Sequence, residues 1–296
     1  MILAAPGVIT EQPPGGMALQ ILCPVIWMAM ALYFFRDCRQ HHGLTRNALI
    51  FIAATSMSWM EWFGDWGSYV IYNPYFWQIP WEGLYPDAVS TPYKPLFVVF
   101  SYGWYYTLNI ISVFWLSDQL RARRPGLKPW QALLVVGIPV TYLINLAFEG
   151  SASVLAMWSY ATYVGPGIES SAGNYPLLYP VVIVVVWVIL IALATYTTDP
   201  RGLAAIDRLM GVRRWADEHN GFVAQGPEGE TAGLPGSTGT AVAKKAGSSQ
   251  GQLTFQTQWV RLFAWIIGFN VSYAVIGVIF PIVVRAIHGL PSTLVP

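Results

Sequence analysis

Six stretches of this chain, residues 17–35, 48–63, 95–116, 130–148, 177–195 and 262–284, are apolar over most of their length. A helix crossing a hydrocarbon core of about 30 Å needs about 20 such residues. The second stretch is short and is expected to continue into the aromatic segment after it. Only 10% of the 296 residues are charged while 55% are hydrophobic, against about 25% charged in a soluble domain. That excess of apolar side chains is more than one globular core of this length buries, so lipid is the expected solvent. The sequence therefore predicts an all-α fold: a polytopic membrane helix bundle of about six transmembrane helices, multi-pass in the cell membrane, with the lipid bilayer as its first partner.

The basic residues orient the bundle. Arg36, Arg39 and Arg46 follow the first stretch, Arg121, Arg123, Arg124 and Lys128 the third, and Arg201, Arg208, Arg213, Arg214, Lys244, Lys245 and Arg261 the fifth. Of the 16 Lys and Arg residues, only Lys94 and Arg285 fall on the other side. The positive-inside rule makes those three loops cytoplasmic and both termini external, N-out and C-out. No Lys or Arg precedes the first stretch, which argues against a cleaved signal peptide. Three regions follow: residues 1–200 with five spans and aromatic outer loops, 201–260 as a cytoplasmic segment, and 261–296 as the sixth span and an outer tail. Within the middle region, residues 201–218 alternate apolar and arginine side chains, as a short helix at an anionic surface does. Residues 226–252 are Gly, Ser, Thr and Pro with few large side chains, the composition of a flexible linker. A net charge of +1 leaves no electrostatic footprint for a nucleic-acid partner.

The residues able to do chemistry gather on the expected outer side. Glu61 and Asp65 are four apart and share one face of a continuous helix. Burial beside a like-charged neighbour favours keeping one carboxyl protonated, so that one would serve as acid and the other as base. Eleven aromatic residues lie between Trp59 and Tyr85. The faces of Trp62, Trp66, Tyr69 and Tyr72, with Asn73 beside them, could line a pocket and stabilise a developing cation. The same residues equally suit carboxylates in surface water with the aromatics as an interfacial belt. On the fourth stretch Tyr142, Asn145 and Glu149 recur at spacings of three and four along one face. If that helix meets the second, Glu149 and Glu61 approach one cavity from opposite walls; the alternative is a wet helix end and an asparagine bonded to a neighbouring helix. Asn109 and Asn270 are deeper polar positions, suited to substrate contact or to helix packing.

Several chemistries find no residues here. The four histidines, at 41, 42, 219 and 288, place no pair at ligand spacing on one helix, so a haem or metal centre is not expected. All four lysines lie outside the apolar stretches, which excludes an intramembrane retinal Schiff base. Cys23 and Cys38 lie at different depths, which disfavours a disulfide. What remains is cofactor-free carboxylic acid/base chemistry on a lipophilic small molecule, or binding without reaction.

Several short blocks resemble the AveC-like spirocyclases, named for the membrane enzyme of avermectin biosynthesis. They are Tyr72, Asn73, Pro74, Tyr75 and Phe76; Asn145, Leu146, Ala147, Phe148 and Glu149; Asn174, Tyr175, Pro176 and Leu177; Asp199, Pro200, Arg201 and Gly202; and Arg261, Leu262, Phe263 and Ala264 with Gly268, Phe269 and Asn270. They stand in the family's order. Gly150 replaces a proline common after the glutamate of the second block. The resemblance implies cyclisation of a dihydroxy-ketone polyketide to a spiroketal, sometimes with dehydration, without a cofactor. Two other readings stay open: a membrane terpene cyclase, since Trp59, Met60, Glu61 and Trp62 resemble the acidic Trp-Glu helix of fungal meroterpenoid cyclases, and a non-catalytic lipid-binding membrane subunit.

Overall fold

The computed structural model describes residues 12–178, 181–222 and 253–287; the segment read as a linker, residues 226–252, lies outside them. The chain is mostly helical, with four three-residue strands. Helix α1 (Gly16–Gln40) is followed by α2 (Arg46–Thr55), whose first turn is capped by the Thr45 hydroxyl accepting from the Ala48 N–H. After a single 3-10 turn at Ser58–Met60 comes α3 (Glu61–Ser68), which leads into strand β1 (Val70–Tyr72). Helix α4 (Leu96–Arg123) is the longest unbroken helix and ends with Arg121 and Arg123, which complement the negative end of its dipole. Helix α5 (Pro129–Asn145) starts on a proline, whose missing N–H costs nothing there. It passes through a π-turn (Leu146–Gly150) into α6 (Ser151–Val154).

Three strands come next: β2 (Trp158–Tyr160), β3 (Gly167–Glu169) and β4 (Asn174–Pro176). A second π-turn (Val181–Val185) opens α7 (Val186–Thr195). Helices α8 (Ala205–Leu209) and α9 (Val212–Glu218) are short. Helix α10 (Phe255–Tyr273) runs through a third π-turn (Ala274–Ile279) into α11 (Phe280–Ile287).

Among the described residues, four helices are long and apolar enough to cross a membrane: Gly16–Gln40, Leu96–Arg123, Pro129–Val154 and Phe255–Ile287. Their outward faces carry Phe35, Trp115, Val135, Leu143, Phe263 and Val271, all more than half exposed. Exposed apolar side chains of this number fit a membrane protein. The fifth stretch forms the shorter apolar helix Ile183–Thr195.

The second stretch is not one helix. The Thr55 hydroxyl donates to the Phe51 carbonyl at 2.8 Å and the Ser56 hydroxyl to the Ala53 carbonyl at 2.7 Å. The second occupies the carbonyl that the Met57 N–H would take in a continuing helix, and that N–H bonds Ala54 instead, at the point where the helix breaks. Asn270 on α10 holds the break, donating to Ser56 Oγ at 2.8 Å and accepting from Trp59 Nε1 at 3.0 Å. Helix α3 then packs against the bend between α10 and α11. Pro281 has no N–H for the Gly277 carbonyl four residues earlier, and the helix widens into the π-turn just before it. That carbonyl faces Gly64 so closely that a Cβ there would sit 2.8 Å from it. The missing side chain of Gly64 thus lets the backbones of α3 and the π-turn touch.

Helix α4 lies at the centre, packed against α1, α2, α5 and α7. Strand β1 pairs antiparallel with β2, setting Val70 opposite Tyr160 and Tyr72 opposite Trp158. At the other end of the bundle α8 and α9 dock on α10. Asp207, fully buried, accepts from the Ala204 N–H at 2.7 Å and from Trp265 Nε1 at 2.6 Å, and pairs with Arg261 at 3.1 Å. Ile206 and Val212 are buried inside the protein while Leu209 stays 81% exposed, so only part of the apolar side of residues 201–218 is left for a membrane surface.

Candidate active site

Glu61 and Asp65 sit one turn apart on α3, and Glu149 lies in the π-turn between α5 and α6. All three line one small cavity, together with Tyr72 from β1, Trp158 and Tyr160 from β2, and Tyr273 at the end of α10. Each of the three π-turns contributes to its wall: Glu149 from the first, Ile183 and Val184 from the second, Gly277 from the third. A π-turn swings one side chain out of helical register, and here the turns bring residues from three helices to one point.

The carboxyls differ in their hydrogen bonds. Glu61 accepts from the Tyr72 phenol at 3.0 Å through Oε1, and from Tyr102 and, at 3.4 Å, Tyr273 through Oε2. The Tyr102 and Tyr273 oxygens are themselves 2.5 Å apart. Glu149 accepts one bond, from Trp158 Nε1 at 3.0 Å. Asp65 is 7% exposed, and its Oδ2 has no hydrogen-bond partner among the described residues. Burial first, then the nearby Asp65, Glu61 and Glu149 carboxyls, push the Tyr72 phenol well above its ordinary value. Tyr72 is therefore a neutral donor at any physiological pH.

Among the described residues no Lys, Arg or His lines this cavity. Carboxyls buried together without a cation cannot all carry charge, because each ion forfeits its hydration and repels the others. The cavity measures about 50 Å³, room for a water or two at the roughly 30 Å³ each occupies in the liquid. Among the described residues no group of three or more His, Cys, Asp or Glu side chains is gathered closely enough to hold a metal ion.

The remaining candidates take different places. Asn145 also lines the cavity, where it donates to Tyr105 Oη and accepts from Tyr175 Oη, both at 2.7 Å. Trp62 is 1% exposed behind Tyr72, with ring centroids 6.3 Å apart. Asn73 is fully buried and shapes the chain, donating to the Ala156 carbonyl at 2.9 Å and accepting from the Tyr75 N–H at 2.9 Å. Tyr142 donates to the Leu177 carbonyl at 3.2 Å, and Asn109 to the Tyr105 carbonyl at 2.9 Å. Asn270 is occupied at the α2–α3 break. Trp66 and Tyr69 instead sandwich Arg285, whose guanidinium carbon lies 3.9 and 4.0 Å from their ring centroids.

Tyr102 and Tyr106 on α4, and Trp158 and Tyr160 on β2, were not singled out by the sequence. Tyr102 and Tyr106 are four apart in an apolar span and so share a face, the one signal that could have found them. Trp158 and Tyr160 reach the cavity only through the pairing of β2 with β1, which leaves no mark in sequence.

Residues 41–224 match the family model described as spirocyclase AveC-like. The match runs from before α2 to beyond α9 and includes every carboxyl of the cavity; Tyr273 and Gly277 fall outside it. No curated protein and no solved structure matches the chain.

Proposed function

We propose that this chain, which belongs to the AveC-like spirocyclase family, is a multi-pass membrane cyclase that closes a lipophilic hydroxylated polyketide by acid/base chemistry without a cofactor. The observation that carries the reading is the convergence of Glu61, Asp65 and Glu149 on one aromatic-walled cavity with no basic residue in its lining. Spiroketal formation from a dihydroxy-ketone forms two C–O bonds and expels the ketone oxygen as water. One hydroxyl adds to the carbonyl, an acid protonates the resulting hemiketal hydroxyl, water leaves, and the second hydroxyl attacks the oxocarbenium ion while a base takes its proton.

Roles follow from the hydrogen bonds. Glu61, faced by three phenols of which at least two donate to it, is the carboxyl best equipped to hold negative charge and acts as base and counter-charge to the cation. Glu149, with one indole donor, is the acid. Asp65, whose Oδ2 has no hydrogen-bond partner among the described residues, binds a substrate hydroxyl or relays a proton to it. The faces of Tyr72, Tyr273 and Trp158 support the oxocarbenium ion. In the membrane, α1, the α2–α3 pair, α4, α5–α6, α7 with its π-turn and α10–α11 make six crossings with both termini outside. The distribution of basic residues supports this orientation, which puts the cavity in the outer half.

The test is conversion of dihydroxy-ketones to spiroketals by the purified chain and by Glu61→Gln and Glu149→Gln. Each substitution lowers turnover about 10²-fold or more if these groups do acid/base work; undiminished turnover in both ends the assignment.

A further inference from the structure

A second chamber, about 230 Å³ and almost wholly apolar, opens beside the acid cavity between α3, α11 and the loop before β3. Ile183 lines both. The acid cavity alone is too small for any polyketide, since small-molecule sites begin at about 300 Å³, a size that only the two spaces together approach. A substrate turned over by these carboxyls therefore needs adjoining space for its apolar body, and this chamber adjoins on the far side of one side chain.

Of the polar side chains in its walls, among them Ser68, Tyr69, Thr162 and Arg285, two carry oxygens that mark what it takes. Tyr69 and Thr162 both line the chamber and are 6% exposed. The Tyr69 phenol oxygen and the Thr162 hydroxyl have no hydrogen-bond partner among the described residues. Buried hydroxyls are rarely left unpaired, and each such exception asks for an explanation. Around them the walls are Tyr163, Leu178, Phe280 and Val284. Leu178 and Phe280 are 51% and 44% exposed, apolar side chains that run from the chamber to the outer surface.

We propose that this chamber binds the apolar body of an oxygenated lipophilic substrate entering from the bilayer. Tyr69 and Thr162 bond its oxygens, and Ile183 is the partition past which its hydroxy-ketone end reaches the acid cavity. The proposal rests on the cyclase reading of that cavity for its reacting end, but the chamber's occupancy can be measured separately.

The probe is a long-chain hydroxy-ketone carrying a diazirine on its alkyl tail, photolysed with the full-length chain in lipid nanodiscs. Crosslinks are expected on the segments holding Tyr163 to Leu178 and Phe280 to Val284. The double variant Tyr69→Phe, Thr162→Val removes only unpartnered oxygens and so keeps the fold. It is expected to weaken labelling about tenfold and to raise KM with little change in kcat, since uniform binding is what is lost. Crosslinks spread over the lipid-facing sides of α1 and α5 without preference for the chamber overturn the proposal, as does labelling unchanged in the double variant. The Glu61→Gln protein separates the two ideas: chamber labelling that persists beside undiminished turnover removes the catalytic reading and leaves the chamber.

Discussion

Replacing Gly64 by alanine tests the contact that positions the catalytic helix. An added Cβ would stand 2.8 Å from the Gly277 carbonyl oxygen, and backbone, unlike a flexible side-chain end, has nowhere cheap to go. Overpacking of this kind costs about 1–3 kcal/mol. Alanine is favoured over glycine inside a helix by about 1 kcal/mol, so the net loss is about 0–2 kcal/mol. The larger effect is on geometry: α3 must withdraw from the π-turn, taking Glu61 and Asp65 away from Tyr273 and Glu149. A misplacement near 1 Å costs about 10²-fold in rate. Thermal unfolding and turnover, measured together in nanodiscs, should show a modest fall in Tm and a disproportionate fall in kcat. Gly83→Ala, where an added Cβ meets nothing within 4 Å, is the control and should change neither. Wild-type stability and turnover in Gly64→Ala would refute the argument that this close approach holds the site together.

Other substitutions probe separate parts of the account. Asp207→Ala leaves Arg261, 7% exposed, without its counter-charge, and should destabilise the protein by about 3–5 kcal/mol as read by denaturant unfolding. Thr162→Val in the absence of substrate deletes an unpaired hydroxyl and should leave Tm equal or higher. Burial, then the Glu169 carboxylate that accepts its proton at 2.6 Å, pushes the Tyr163 phenol up from 10.0 to about 12. Its contribution to stability is therefore complete below about pH 10 and lost as pH rises toward 12, a decline that Tyr163→Phe should abolish. Cysteines placed near Gly165 and near Gly126 should react with an impermeant maleimide from the outside and the inside of the cell, respectively; labelling of both from one side contradicts the proposed orientation.

Much of the bundle could be read from the chain because a membrane-spanning helix depends on length and apolarity, which are local. Residues 95–116, for example, fall in α4 but for Pro95, which caps it, and 262–284 lie within Phe255–Ile287. The placement of Glu61 and Asp65 on one helix was legible for the same reason, since a spacing of four is a helical repeat. The break at Ser56 was not, because hydroxyls that bond back to Phe51 and Ala53 are equally common in intact helices. Nor were the π-turns legible. The one at Gly277 reflects Pro281 together with the approach of Gly64 from a distant segment, and only the first is local. Tyr102 passed as one aromatic among several in an apolar span, since nothing in its neighbours announces that its hydroxyl meets Glu61. Arg285 registered only as a charge on the wrong side of the membrane, whereas in the fold it is buried between Trp66 and Tyr69 beside the second chamber.

The most direct test of one shared catalytic cavity is a double-mutant cycle on the single-turnover rate of cyclisation with Glu61→Gln, Glu149→Gln and the pair. Groups that serve the same transition state act as a unit, so the double variant should fall no further than the worse single. Losses that multiply, or no loss in either single variant, would mean that the two carboxyls do not work on one substrate.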